Sequence, residues 1–500
     1  MACRTTTKCL AQTELLGHIY NNINMVFKIA EQILGRTDSQ ENGTCATVFP
    51  LFEALDEDMR TEDLLSSQES APPLSVCDII LTSEEEIFLR TCLIHTIICI
   101  VVKFGGPAFA HFDQDIAAST PITSKQIPIH KTKRYPLPAM NIDESSRIGN
   151  TEVIDTIFKE LGYTTANKKS HGKVKIVHGD QLSVSRIRSV SANRIGHDCI
   201  DLSYLDVVCG PGLFHAQLHA VFGTLQTHWG NPTLGHRDPG SLSFHNSVLY
   251  HKPIVLSSLP PYRTCRDLLF ILLYAHILHC LELVSGKTLG EYAQSTTFEE
   301  LQTHALQIFE RYSSAQVVQD LRLAEDSDGI PYMKIAIILK NWLANPSGHA
   351  NGFLPVDLLQ EHMNFWVKVI YQAQGSGASW DWLETISPCI NVLRALATQM
   401  NENLGSQQGS KHHAPDLTND IWELMKALRT HRVYEKESGC VIDEGTAVPD
   451  TFVHGLHGLL GPLRDYNITF EQLRARRKVP PLVGKKLSSQ TTSPILQDME

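Results

Sequence analysis

KVKIVHGDQLSVSRIRSV (Lys173–Val190) carries an alternating apolar run that stops at Gly179-Asp180-Gln181 and gives way to a Ser- and Arg-rich stretch at helical spacing. The alternation predicts a strand with Val174, Ile176 and His178 on one face. A carboxylate is disfavoured in a strand and costly to bury without a partner. Asp180 therefore either caps the following helix or points at something charged. Downstream, LSYLDVVCGPG (Leu202–Gly212) reads as a second strand broken by Gly-Pro-Gly, and LFHAQLHAVFGTLQTHW (Leu213–Trp229) as an amphipathic helix. Both helices open just past a strand's C-terminal end, where ligands gather in open α/β sheets.

Working outward, Leu15, Leu16, Ile19, Ile23, Val26, Phe27, Ala30 and Ile33 recur at helical spacing, so Leu10–Leu34 is expected to be a helix stopped by Gly35. Residues 53–75 are acidic, then rich in Ser, Gln and Pro, which predicts a solvated linker. Ser83-Glu84-Glu85-Glu86 supplies a cap and first-turn acids for a helix ending near Phe104. Residues 118–138 are Pro-punctuated and basic, and Thr151–Gly162 is a short amphipathic helix. Further helices are expected at Arg266–Leu283, Phe298–Tyr312, Tyr332–Ala344, Pro355–Gln372, Trp380–Asn403 and Leu417–Val433. The resulting plan has an N-terminal helical segment (1–52), the linker (53–75), a helical and Pro-rich entry region (76–172), a core domain (173–435), an extension (436–472) and a disordered basic tail (473–500).

The 500 residues carry a formal net charge of −11, so any nucleic-acid contact would need a local basic patch. Two short basic runs, Lys131–Pro136 and Arg474–Lys478, are candidates. The 12 cysteines are dispersed, with no C-x-x-C, which fits reduced thiols inside a cell. The first twenty residues lack an apolar run and a cleavage site, so no secretion is expected. The most apolar run, Thr91–Val102, falls short of the roughly 20 residues a bilayer requires and is expected to be a core helix, with no membrane partner.

Three constellations could carry chemistry. Asp180 at a strand end suits Mg²⁺ or Mn²⁺, which take oxygen ligands from one or two carboxylates. Within DLLQEHMNFWVK, Asp357 and Glu361 share a helix face at i, i+4 and Asn364 extends it. His215 and His219 also stand at i, i+4, but zinc needs a third ligand, and the pairs His276/His279 and His454/His457 are no better supplied. There is no G-x-S-x-G, no P-loop and no G-x-G-x-x-G behind a strand.

Taken together, HGDQLSVSRIRSV, GPGLFHAQLHAVF and LANPSGHANGFLPVDLLQEHMNFWVK resemble an uncharacterised, mainly fungal family marked by Gly-Asp-Gln, Phe-His and Glu-His-x-Asn motifs. The likeness covers roughly Lys173 to Tyr434. The family layout resembles transposon-derived RNase H-like proteins, where one acid ends the first strand, a second follows a later strand and a third rides a helix. The resemblance implies a mainly helical α+β fold around a small RNase H-like mixed sheet containing residues 173–180 and 203–210. It implies Asp180 as the first acid and Glu361 as the third, both metal ligands, with His215 joining them as a catalytic residue. Gln181, Asp357, His362 and Asn364 are supporting residues. The second acid would fall at Leu213, where this chain has no carboxylate, and Asp206 and His215 are the candidate replacements. The implied function is a transposon-derived nuclease relative, active with Mg²⁺ or Mn²⁺ or else degenerate. Its partners would be DNA and further copies of itself, in the nucleus rather than the cytoplasm. The alternative is a non-catalytic helical interaction protein.

Overall fold

The structure is a computed structural model that describes residues 2–27, 38–123, 126–163, 172–194, 203–258, 260–313, 340–370, 379–405, 415–435, 448 and 451–477. It is mainly helical, with a mixed five-stranded sheet. The strands are β1 (Leu16–Phe27), β2 (Ser39–Pro50), β3 (Tyr135–Pro136), β4 (Lys175–Gly179) and β5 (Val207–Pro211), in the order β3-β2-β1-β4-β5. β1 runs antiparallel to β2 and parallel to β4, and β5 runs parallel to β4. A two-stranded ribbon pairs β6 (Leu343–Ala344) with β7 (Leu354–Pro355).

The helices bearing on the sheet are α1 (Ala2–Ala11), α2 (Thr61–Ser70), α5 (Arg147–Leu161), α6 (Gln181–Arg194), α12 (Val356–Ile370), α13 (Trp380–Ile386) and α14 (Ile390–Asn403). Counting along the chain, α3 (Ser83–Phe104), α4 (Asp113–Ala118), α7 (Leu213–His228), α8 (Leu242–Val248), α9 (Tyr262–Ser285), α10 (Leu289–Ser295), α11 (Phe298–Tyr312) and α15 (Thr418–Thr430) build a separate helical core, and α16 (Thr451–Arg477) comes last. α3 and α9 are long and apolar enough to cross a membrane by length and composition, and both contribute to that helical core.

Strand alternation sorts the sheet's two faces. Tyr20, Ala46, Val48 and Val177 pack with Ile154, Ile157 and Ile187 of α5 and α6. Ile19, Phe49 and Ile176 point the other way, onto Val356 and Leu359 of α12. At about 25 cal/mol per Å² of apolar surface, these two sandwiched layers hold the sheet between its helices.

Several expectations need correcting. Residues 16–27 form the central strand rather than a helix, so residues 1–52 are not a separate helical segment. Ile19, Tyr20, Ile23 and Val26 are β-branched or aromatic, which favours the pleated surface that β2 and β4 provide. Residues 53–75 are not a loose linker. α2 lies within them, Met59 and Thr61 are buried, and this stretch bonds backbone to backbone with Gly172 and Val174. The expected Trp380–Asn403 helix is divided by a 3₁₀ turn at Ser387–Cys389, where Pro388 lacks an amide donor. Of the expected Tyr332–Ala344 helix, residues 332–339 lie outside the described residues, and Leu343–Ala344 is a strand. Of the basic tail, residues 473–477 close α16, and 478–500 lie outside the described residues.

Parts of the two basic runs are engaged in packing, while the side chains of Lys131 and Lys133 are exposed. Thr132 exchanges hydrogen bonds with Asn345, Tyr135–Pro136 is β3, and Arg474 donates to the carbonyls of Gln68 and Ala71 at the end of α2.

Candidate functional site

Asp180 directly follows β4, the fourth strand in the chain and not the first. Its Oδ1 accepts the Ser183 backbone N–H at 2.6 Å and its carbonyl accepts that of Val184, so it caps α6. The carboxylate at the strand end thus satisfies a helix terminus that would otherwise expose orphan donors. β1 pairs with β4 through Gly17–Ile176, His18–Val177 and Ile19–His178. Continuing that register by two residues sets Asn21 level with Asp180, the residue that follows β4.

Asn21 lies on the α12 face of β1 and donates from Nδ2 to Glu361 Oε1 at 2.6 Å. Burial raises the Glu361 pKa, and the Asn21 hydrogen bond and nearby His215 oppose that rise. One turn earlier on α12, Asp357 is 2% exposed. It accepts the backbone N–H groups of Phe214 (3.1 Å) and His215 (3.2 Å), and lies 3.0 Å from His215 Nδ1. Gly212, the N-cap of α7, has no side chain to cap the helix itself. Asp357 does so from α12, so close that a Cβ on Gly212 would sit 2.8 Å from the Asp357 carboxyl carbon. Burial works against ionisation of Asp357, but His215 and the two amides hold its pKa below the usual carboxylate range. In turn the Asp357 hydrogen bond raises the pKa of His215, helped by the charges of Asp180 and Glu361.

A fourth acid, Glu144, feels the charge of Asp180. It is 1% exposed and accepts the Ser183 hydroxyl at 3.3 Å. Burial, then the charge of Asp180, pushes its pKa up to about 8, so it is mostly protonated at neutral pH. A cleft of about 350 Å³ opens over this end of the sheet, lined by Asp180, Gln181, Leu182, Ser185, His215 and His219.

The structure thus gathers Asp180, His215, Asp357 and Glu361, with Gln181 on the rim. Asn364 is buried one turn beyond, where Nδ2 donates to the carbonyl of Asn22 on β1 and Oδ1 accepts from Gln360, tying α12 to the strand. His362 is exposed, among Arg134, Arg263 and Arg394. Leu213 is the half-buried first residue of α7. Asp206 precedes β5 at the opposite end of that strand and pairs with Lys175, so it does not join the group. Asn21 and Glu144 escaped the sequence reading. The Asn21-Asn22 pair inside an apolar alternation was the available signal for the first, hidden by the helical spacing around it.

Among the described residues, no three His, Cys, Asp or Glu side chains form a group that could hold a metal ion. The donors agree with this. Asp357 commits both oxygens to α7, Asp180 commits one to α6, Glu361 is pinned by an amide, and Asn21 offers no charge. These bonds leave fewer carboxylate oxygens open to a divalent cation, which takes oxygen ligands from one or two protein carboxylates.

The chain belongs to the DUF6589 family, a family of unknown function, whose family model matches residues 68–329 and 335–413. The match takes in Asp180, His215, Asp357 and Glu361, while Asn21 and the rest of β1 precede it. No curated protein and no solved structure matches the chain.

Proposed function

We propose that this chain is an RNase H-like, transposon-derived nuclease relative whose cation centre is incomplete. The strand order β3-β2-β1-β4-β5, with β4 and β5 following the direction of β1, supports the fold half of this reading. In the layout that the motifs resemble, acids sit on the first strand, after a later strand and on a helix. Those three places correspond here to Asn21, Asp180 and Glu361, which moves Asp180 to the second place and leaves Leu213 outside the set. The observation that carries the reading is the bond from Asn21 Nδ2 to Glu361 Oε1 beside Asp180. An amide donor holds the helix carboxylate where two carboxylates would otherwise face a shared cation. The Asp357 hydrogen bond raises the pKa of His215 and so favours its charged form in the same place. DNA and further copies of the chain are the proposed partners and the nucleus the proposed location, with the chain off the membrane. Stable recovery with membranes after a high-pH wash would refute that last point.

Thermal melts with Mn²⁺ and with chelator test the assignment. Wild type should not respond. Asn21→Asp supplies the absent carboxylate and should gain stability from Mn²⁺, about 2.7 kcal/mol at one hundred times the dissociation constant. Adding Glu361→Gln should abolish the gain. A Mn²⁺ response in wild type that Glu361→Gln removes would show a complete centre instead. An unresponsive Asn21→Asp would dismiss the three-place assignment and leave the non-catalytic interaction protein as the better reading.

A further inference from the structure

The solvent face of α12 is aromatic where a surface helix ordinarily carries polar and charged groups. His362, Phe365, Trp366 and Val369 stand at i, i+3, i+4 and i+7, so they share one stripe. The inward residues Leu359, Met363 and Val367 are buried against the sheet. Core packing therefore does not account for the outer stripe. Phe365 is 56% exposed, and its ring centroid stands 5.5 Å from that of Trp366. It also lies one turn beyond Glu361, so the stripe borders the acid cluster.

Basic groups flank these rings. The Arg394 guanidinium of α14 lies over the Trp366 ring at 4.5 Å. Asn391, one turn earlier on α14, donates from Nδ2 to the Arg134 carbonyl at 3.1 Å, which brings the basic run of residues 131–136 to the same place. Arg134 and Arg394 are half-buried and Arg263, in the first turn of α9, is exposed. Among the described residues, none of the three side chains has a hydrogen bond or a carboxylate partner. Burial, and then the charges of Arg394, Arg134 and Arg263, lower the pKa of His362, so like charges converge on this face. In a chain of net charge −11, this is a local basic patch beside exposed rings.

We propose that this face of α12 binds single-stranded DNA, with bases stacked on Phe365 and Trp366 and phosphates held by Arg134, Arg263 and Arg394. Every unpaired base offers a flat face to an aromatic ring, and guanidinium forks match phosphate oxygens. Duplex DNA hides its base faces and can engage only the arginines. The choice of DNA rests on the function proposed above, whereas the aromatic and basic surface is independent of the cation centre.

The test is fluorescence anisotropy of labelled oligothymidine with the full-length protein, in chelator and across a series of salt concentrations. Wild type should bind, and a duplex of the same length should bind about tenfold more weakly. Phe365→Ala should weaken binding about tenfold, through the loss of one stacked base. Arg134→Gln and Arg394→Gln should each reduce the slope of log affinity against log salt by about 0.7, one phosphate fewer on a single strand. Their melting temperatures should hold or rise, because each loses a like charge and no protein partner. Arg311→Gln, at an exposed position on α11, should change neither affinity nor slope. Absence of binding by wild type would overturn the proposal, as would tighter binding of duplex or an undiminished slope in both arginine variants. A preference for oligouridine over oligothymidine would overturn the assignment to DNA. No metal enters these titrations, so they can fail while the Mn²⁺ melts succeed, and the reverse.

Discussion

Glu144→Gln isolates the cost of the acid that the site keeps buried. Its folded pKa stands at about 8 against an ordinary 4.5, because burial and then the charge of Asp180 disfavour its ionised form. A raised carboxyl pKa means that the unfolded chain releases this proton first. The penalty is absent below pH 4.5, grows as pH rises, and is complete above pH 8. At about 1.36 kcal/mol per pH unit, it comes to roughly 5 kcal/mol at pH 9. Gln keeps the volume and an acceptor for the Ser183 hydroxyl, and it cannot ionise. The variant should therefore match wild type at pH 4.5 and exceed it by roughly 3 to 5 kcal/mol at pH 9. Urea titrations across that range, read by tryptophan fluorescence and circular dichroism, give the difference directly. Parallel pH profiles for the two proteins would show that Glu144 ionises freely when folded, and the reasoning would fail.

Other consequences can be checked in the same way. His18, His178 and His245 are held uncharged by burial, with pKa values lowered to about 4, and His276 to about 3. Their stabilising effect is present above pH 6.5 and lost as pH falls toward 4, or toward 3 for His276, at about 3 kcal/mol for each of the first three and about 5 kcal/mol for His276. Wild type should therefore unfold cooperatively within that window, and His245→Leu should flatten the profile; an unchanged slope would count against the assignment. Asp357→Asn removes the charge that sustains His215, so the His215 resonance should titrate at lower pH by NMR, with stability down about 1–3 kcal/mol because the amide NH₂ leaves one of the two α7 donors without an acceptor. Gly212→Ala forces a methyl group against the same carboxyl and should lose about 2 kcal/mol or more by chemical denaturation.

The sequence disclosed what local chemistry determines. Gly179-Asp180-Gln181 marks a strand end and a cap, and Asp357 and Glu361 fall on one helix face because their spacing is helical. What it concealed depends on distant partners. The apolar spacing of Leu16–Phe27 satisfies a helix nearly as well as a strand, and only pairing with β2 and β4 settles the matter. Asn21 becomes a site residue only because that pairing places it beside Asp180. The 53–75 stretch looks solvated by composition, yet long-range backbone bonds to Gly172 and Val174 order it. Leu213 looked like a vacant acid position because a helix start after β5 resembles a strand end. In space, the acid serving that helix start is Asp357, 144 positions later.

The central position of β1 has a consequence for how the molecule is made. β1 and β2 emerge before β4, which covers the other edge of β1 and begins at Lys175, about 150 residues after β1 ends. At roughly 5–20 residues per second, the nascent hairpin waits on the order of 7 to 30 s with one apolar edge unpaired. Until then, that edge is available to other nascent chains on the same message. A chaperone that shields residues 16–50 during this interval should raise the soluble yield more than one acting after release.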